Sequence, residues 1–121
     1  MNDEASLAPG DAPKVIAGLL RGRSLETSDK IRLEVPEAAE NGALVPISAG
    51  SAISGTRVLH LIADQNPGPR LATFHFAEGV RPWVSTRLKL NASGPVRVLG
   101  ETSMGVYEQS RPVRILLGGC G

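Results

Sequence analysis

Residues 83–90 read Trp83-Val84-Ser85-Thr86-Arg87-Leu88-Lys89-Leu90, and this stretch decides the fold. Successive side chains of an extended chain point to opposite faces, so Val84, Thr86, Leu88 and Leu90 share one side while Ser85, Arg87 and Lys89 share the other. Such a strand covers a core with its apolar face and meets water with its basic one.

The period of two continues outward from this strand in both directions. Downstream, Asn91-Ala92-Ser93-Gly94 turns the chain, 96–99 forms a strand, Tyr107 follows a Ser103-Met104-Gly105 turn, and Val113, Ile115 and Leu117 alternate in a last strand over 113–117. Upstream, 71–76 is a strand, Asn66-Pro67-Gly68-Pro69 is a loop, and 57–63 is apolar on both faces, as a central strand is. Residues 43–48 form a further strand in which Pro46 calls for an edge position or a bulge, because proline cannot donate to a ladder. Asn41-Gly42 before it is a strong tight-turn signal, because both residues tolerate positive φ. Ile31, Leu33 and Val35 alternate with Arg32 and Glu34 until Pro36. Short strands at turn-punctuated intervals indicate an all-β sandwich or barrel. The paired cysteines of antibody domains are absent, since the chain has one cysteine.

Before the first strand the period is helical. Asp11 has the form of an N-cap and Pro13 falls in the first turn, where its missing N–H is harmless. Val15, Ile16, Leu19 and Leu20 make an apolar face, and Gly22 ends it. A helix this short is marginal alone and must dock its apolar face. The organisation expected is therefore a flexible lead-in over 1–10, a helix over 11–22, a sandwich domain over 31–117 and a terminal arm over 118–121.

With 121 residues, 41% of them hydrophobic and 21% charged, the chain is the size of one domain with its own core. Its aromatic residues are Phe74, Phe76, Trp83 and Tyr107, so the core must come from Val, Leu, Ile and Ala. A net charge of +1 without a basic run argues against nucleic acid as a partner. No apolar run is long enough to span a bilayer, which argues against a membrane partner. Met1-Asn2-Asp3-Glu4 is acidic where a secretory signal would be positively charged.

The remaining signal is the arm, Gly118-Gly119-Cys120-Gly121, which places the single cysteine one residue from the end. Glycines make such a segment slim and free in φ/ψ, fit to enter a narrow cleft. Four residues reach about 14 Å at most, so a partner's pocket must come to the thiol. Chain ends are often simply frayed. A sole thiol normally prefers burial as a small hydrophobe, however, and an exposed one invites oxidation. A free cysteine ionises near pH ~8.5, and no cation in 118–121 favours its thiolate, which suits a passive attachment point better than a catalyst. His60 and His75 lie in strands and lack the close spacing of a zinc site with Cys120, so no metal site and no cofactor is expected. No Ser-His-Asp set, phosphate loop or carboxylate pair stands out, and no catalytic residue is assigned. Arg81, Arg87, Arg97, Arg111 and Arg114 could build a basic face near the arm, although ordinary solvated strand faces account for them better.

Several stretches together resemble one family: Glu40-Asn41-Gly42 with Val45-Pro46, Asn66-Pro67-Gly68-Pro69 with Ala72-Thr73-Phe74-His75-Phe76, Val84-Ser85-Thr86-Arg87, and above all Gly118-Gly119-Cys120-Gly121. From Ile31 to the end the chain is similar to the SoxY family, the substrate-carrying subunits of the SoxYZ protein of bacterial thiosulfate oxidation. The resemblance implies an immunoglobulin-like sandwich paired with SoxZ. It also implies a thiol that carries thiosulfate-derived sulfur covalently: Cys120 matches the family's cysteine, and Gly118, Gly119 and Gly121 match three arm glycines. Haem-containing SoxAX would load the thiol, SoxB would hydrolyse off sulfate, and a sulfane dehydrogenase would oxidise the sulfur that remains. The carrier itself would not be an enzyme. The sequence ends one glycine short of the family's usual tail and lacks its twin-arginine signal, which implies a mature periplasmic form.

Two other classes compete with this reading. Ubiquitin-like sulfur carriers end in Gly-Gly, but there the terminal carboxylate reacts and a central helix is required. A structural sandwich could use its terminal cysteine to cross-link partners.

Overall fold

A computed structural model describes residues 10–116. In chain order the elements are α1 (Ala12–Leu20), β1 (Leu25–Thr27), β2 (Ile31–Glu34), β3 (Ala38–Ala39), β4 (Val45–Ser51), β5 (Val58–Ala63), β6 (Arg70–His75), β7 (Trp83–Leu88), β8 (Gly94–Thr102) and β9 (Gly105–Ile115). One sheet runs β1-β9-β8-β5-β6, with β3 also on β9, and the other runs β2-β4-β7. Their facing sides enclose a core of Ile31, Leu33, Val45, Ile47, Leu59, Leu61, Val96, Val98 and Val113. The large sheet has a second apolar side, where Ile62, Leu99 and Val106 meet Ala12, Ile16, Leu19 and Leu20 of α1. The molecule is thus three layers deep, helix on large sheet on small sheet, and the all-β sandwich with one N-terminal helix is what the alternation demanded. No helix among the described residues is long and apolar enough to cross a membrane.

In the helix, Asp11 accepts the amide of Lys14 at 3.1 Å, the N-cap bond. The helix stops because Arg21 turns left-handed (φ 51°), one residue before Gly22. The alternation over 83–90 is realised: Trp83, Ser85 and Arg87 are exposed, and Val84, Thr86 and Leu88 turn inward. β5 is central, between β8 and β6.

Four expectations change. The turn at Asn41-Gly42 forms, but without positive φ; the Asn41 side chain accepts the amide of Ala43 at 2.8 Å. The chain between β2 and β4 crosses to the other sheet, where β3 pairs parallel with the end of β9. The sandwich begins at Leu25, because β1 pairs parallel with Val106–Glu108, a partner some eighty positions away that local pattern cannot announce. The last strand starts at Gly105, so Tyr107 lies in the same eleven-residue strand as Val113. Gly10 is pinned, its amide donating to the carbonyl of Asn66 at 2.9 Å. As for Pro46, β4 is central in its sheet, but β2 reaches only Ser48–Ser51, so at Pro46 the strand is flanked by β7 alone.

Candidate functional site

Cys120 and its neighbours Gly118, Gly119 and Gly121 lie outside the described residues. What the structure provides is the ground from which they leave, the end of β9. Gly94 pairs with Val113, and there the β8–β9 ladder ends. β9 continues for two more residues because other groups take over. The amide of Ile115 donates to Ser93 Oγ at 2.8 Å. On the opposite edge the amides of Arg114 and Leu116 donate to the carbonyls of Glu37 and Ala39, at 3.0 and 2.9 Å. Leu116 is therefore held through its main chain while its side chain stays 54% exposed.

Between β1 and β3 the outer edge of β9 has no strand beside it, yet little of it is left open. The amides of Val106, Arg114 and Leu116 point outward, so the even-numbered positions face this edge. Of the two even positions in the gap, Ser110 gives its amide to the side chain of Gln109 at 3.3 Å, and Pro112 has no amide to satisfy. This is how a sheet refuses a further strand at an exposed edge.

Asn66 ties the surrounding loops together. It is only 6% exposed. Its Nδ2 donates to the carbonyl of Lys89 at 2.9 Å and its Oδ1 accepts the amide of Asn91 at 2.9 Å. Its own carbonyl holds Gly10. The turn that presents Ser93 is thereby fixed to the loop between β5 and β6. Beside it the Gln65 carboxamide, buried and without a hydrogen-bond partner, packs where a β-carbon on residue 94 would stand, at 2.8 Å, so glycine suits that position. A recess of about 400 Å³ at this root is lined by Glu37, Ser93, Gly94, Pro112, Val113 and Arg114.

A second polar cluster lies under α1. His60, 4% exposed, contacts Thr73 Oγ1 through Nδ1 at 2.8 Å and Glu101 Oε2 through Nε2 at 2.5 Å. Arg23 donates to Glu101 Oε1 at 2.8 Å and to the carbonyls of Leu19 and Leu20 at 3.0 and 2.8 Å. One carboxylate thus latches the C-terminus of the helix to the sheet. Burial pushes the Glu101 carboxyl upward, but the hydrogen bonds from His60 and Arg23 outweigh it and hold the group below its ordinary 4.5. Glu101 also borders a larger recess of about 830 Å³, rimmed by Arg23, Arg57 and Arg81. That recess is at the Thr102 end of β8, eight residue steps from Gly94, or about 27 Å along the strand.

His60 and His75 are not brought together in a metal site: His75 is exposed at the end of β6. Among the described residues no group of three or more His, Cys, Asp or Glu could hold a metal ion. The five arginines do not share one face. Arg87 is on the outer side of the small sheet, and Arg81 stands 5.9 Å over the Trp83 ring. Arg97 forms a two-bond pair with Asp64 at 2.8 Å, which raises its pKa. Arg111 bonds the Gln109 side chain, and Arg114 lies at the root. Ser93 and Asn66 are the residues at the root of the arm whose contacts sequence reasoning missed. The dipeptide Asn66-Pro67 signalled only a loop, and nothing local marks Ser93 as the partner of Ile115.

A model of a protein family, sulfur oxidation protein SoxY, matches residues 16–120. Among solved structures, the sulfur carrier protein SoxY from Chlorobium limicola f thiosulfatophilum superposes with a TM-score of 0.78 at 26% identity, over 85% of this chain and 94% of that one. Two structures of superoxide reductase (neelaredoxin) from Ignicoccus hospitalis also superpose. One gives a TM-score of 0.63 at 17% identity, over 85% of this chain and 91% of that one. The other gives 0.61 at 17%, over 71% and 80%. At that identity the likeness is one of fold. No curated protein matches.

Proposed function

We propose that this chain, which belongs to the SoxY family of sulfur oxidation proteins, carries sulfur intermediates covalently on Cys120 and presents them to separate enzymes. The observation that carries this reading is the extent of the family match, which continues through Gly118 and Gly119 to residue 120. The root geometry supports it: β9 is held on both edges up to Leu116, four residues before the thiol.

The chemistry balances without a catalytic group on this chain. In loading, the Cys120 sulfur bonds to the outer sulfur of thiosulfate, the thiol proton leaves, and two electrons pass to an acceptor through SoxAX. In unloading, water attacks the sulfonate sulfur and the S–S bond to it breaks. Sulfate departs with two protons, and a persulfide anion stays on the cysteine, where SoxB acts as the hydrolase. A sulfane dehydrogenase would then oxidise that remaining sulfur. Each enzyme supplies its own acid, base or redox centre, so the thiol needs no activation from 118–121.

SoxZ is the stable partner in this proposal, and the periplasm is the compartment. The unpaired edges of β2, β6 and β7 and the exposed side chains of Val80 and Trp83 support a covering subunit.

The test is the mass gained by the full chain, with SoxZ, on incubation with thiosulfate, SoxAX and an electron acceptor. Wild type gains a thiosulfonate and Cys120→Ser gains nothing. An equal gain in both would end the carrier reading.

A further inference from the structure

We infer that Ser93 is a positioning residue for the arm, an inference that rests on the carrier reading. β9 alternates its amides between two edges. Those of Arg114 and Leu116 face β3, and that of Ile115 faces β8. The β8 ladder has ended at Gly94, so no main-chain acceptor stands opposite Ile115. The Ser93 hydroxyl supplies one at 2.8 Å. On the other edge the strand Ala38–Ala39 is two residues long, and both pair with β9, at Arg114 and Ile115. Strand geometry over 114–116 thus depends on one side chain and one minimal strand.

This grip sets the length and starting direction of the arm. With Leu116 held, four residue steps separate the body from Cys120, a reach of about 14 Å. With Ile115 and Leu116 released, six steps separate Arg114 from the thiol, about 20 Å, and the arm starts in many directions. Two more residues must then be ordered each time the thiol enters a cleft, which weakens productive encounter without changing the seated chemistry. Ladder ends open with free energies near zero. Loss of one hydrogen bond, a three- to tenfold change in an equilibrium of this kind, is therefore enough to move the root from mostly gripped to mostly released.

The experiment compares wild type, Ser93→Ala, Ser93→Thr and Cys120→Ser as the full chain with its partner subunit. Ser93 is exposed, so removing its hydroxyl leaves the fold standing. In Ser93→Ala, amide exchange at Ile115 and Leu116 speeds up about three- to tenfold. The apparent KM of the thiosulfate-conjugating enzyme for the carrier rises by a similar factor while kcat holds. Alkylation of Cys120 by iodoacetamide, which needs no orientation, keeps its rate. Ser93→Thr, retaining the hydroxyl, restores exchange and KM. Unchanged exchange in Ser93→Ala, faster exchange with an unchanged KM, or failure of threonine to rescue would each overturn the inference. Equal mass gain in Cys120→Ser would instead remove the carrier reading and the inference with it.

Discussion

The root of the arm and the latch under α1 face the same task, fixing a terminal segment to the large sheet, and they use opposite chemistry. At the root the bonds are neutral: main-chain carbonyls of Glu37 and Ala39, the Ser93 hydroxyl and the Asn66 amide. Under the helix one partly buried carboxylate, Glu101, gathers His60 and Arg23. A neutral, half-exposed grip is weak and insensitive to pH. A charged, partly buried latch is stronger, because removing Glu101 leaves the buried His60 and the half-buried Arg23 without their acceptor. The molecule has thus placed its strong fastening on the segment that has only to stay put, and its weak one on the segment that carries the thiol.

Glu101→Ala separates the two most widely. It leaves His60 and Arg23 without their acceptor, and the expected loss is about 2–4 kcal/mol in urea denaturation. The alkylation rate of Cys120 in the folded protein stays the same, and a matching rise in that rate would show that the two regions are coupled.

Asn66→Ala acts on the root's own support. It removes a donor to Lys89 and an acceptor for Asn91, for about 1–3 kcal/mol, and it speeds amide exchange at Ile115 as well as in the 89–93 turn. Exchange changes confined to the turn would mean that Ser93 keeps its position without Asn66.

The smallest effect is that of pH. Glu101 has a folded value below its ordinary 4.5. Its contribution to stability is complete above that value and is lost as pH falls through the folded one. The urea midpoint should therefore drop as pH falls below the ordinary 4.5, and Glu101→Gln should drop less over the same interval. An equal drop in both would place the acid sensitivity elsewhere, with the Arg97–Asp64 pair the next group to examine.

What sequence could reveal follows the range of the forces involved. β7 was legible because its signal is local: Val84, Thr86 and Leu88 alternate with Ser85 and Arg87 whatever the partner strands are. The helix was legible from Asp11, Pro13 and its apolar face for the same reason. β1 and β3 were not, because three and two residues held by parallel pairing to a distant strand leave no periodic trace. β9 was read only in its last third, since Glu108-Gln109-Ser110-Arg111-Pro112 breaks the apolar alternation. Gln109 to Pro112 lie along a stretch of edge with no strand beside it, and Pro112 keeps it from needing one. The cysteine was visible as an isolated thiol after two glycines, but the serine opposite Ile115 depends on where β8 starts, which only the pairing of whole strands decides.

β3 has a mechanical consequence. It lies on the connection between β2 and β4, both in the small sheet, yet it pairs with β9 of the large one. The two sheets are laced together at the place where the arm departs. Hydrogen bonds between strands run across the strand direction, so a tug along the arm loads the bonds to β3 and β8 together in shear, not one by one as in peeling. Because β3 is tethered on both sides to the small sheet, the strain spreads into both layers. A pull on the C-terminal end of β9 is therefore shared between both layers.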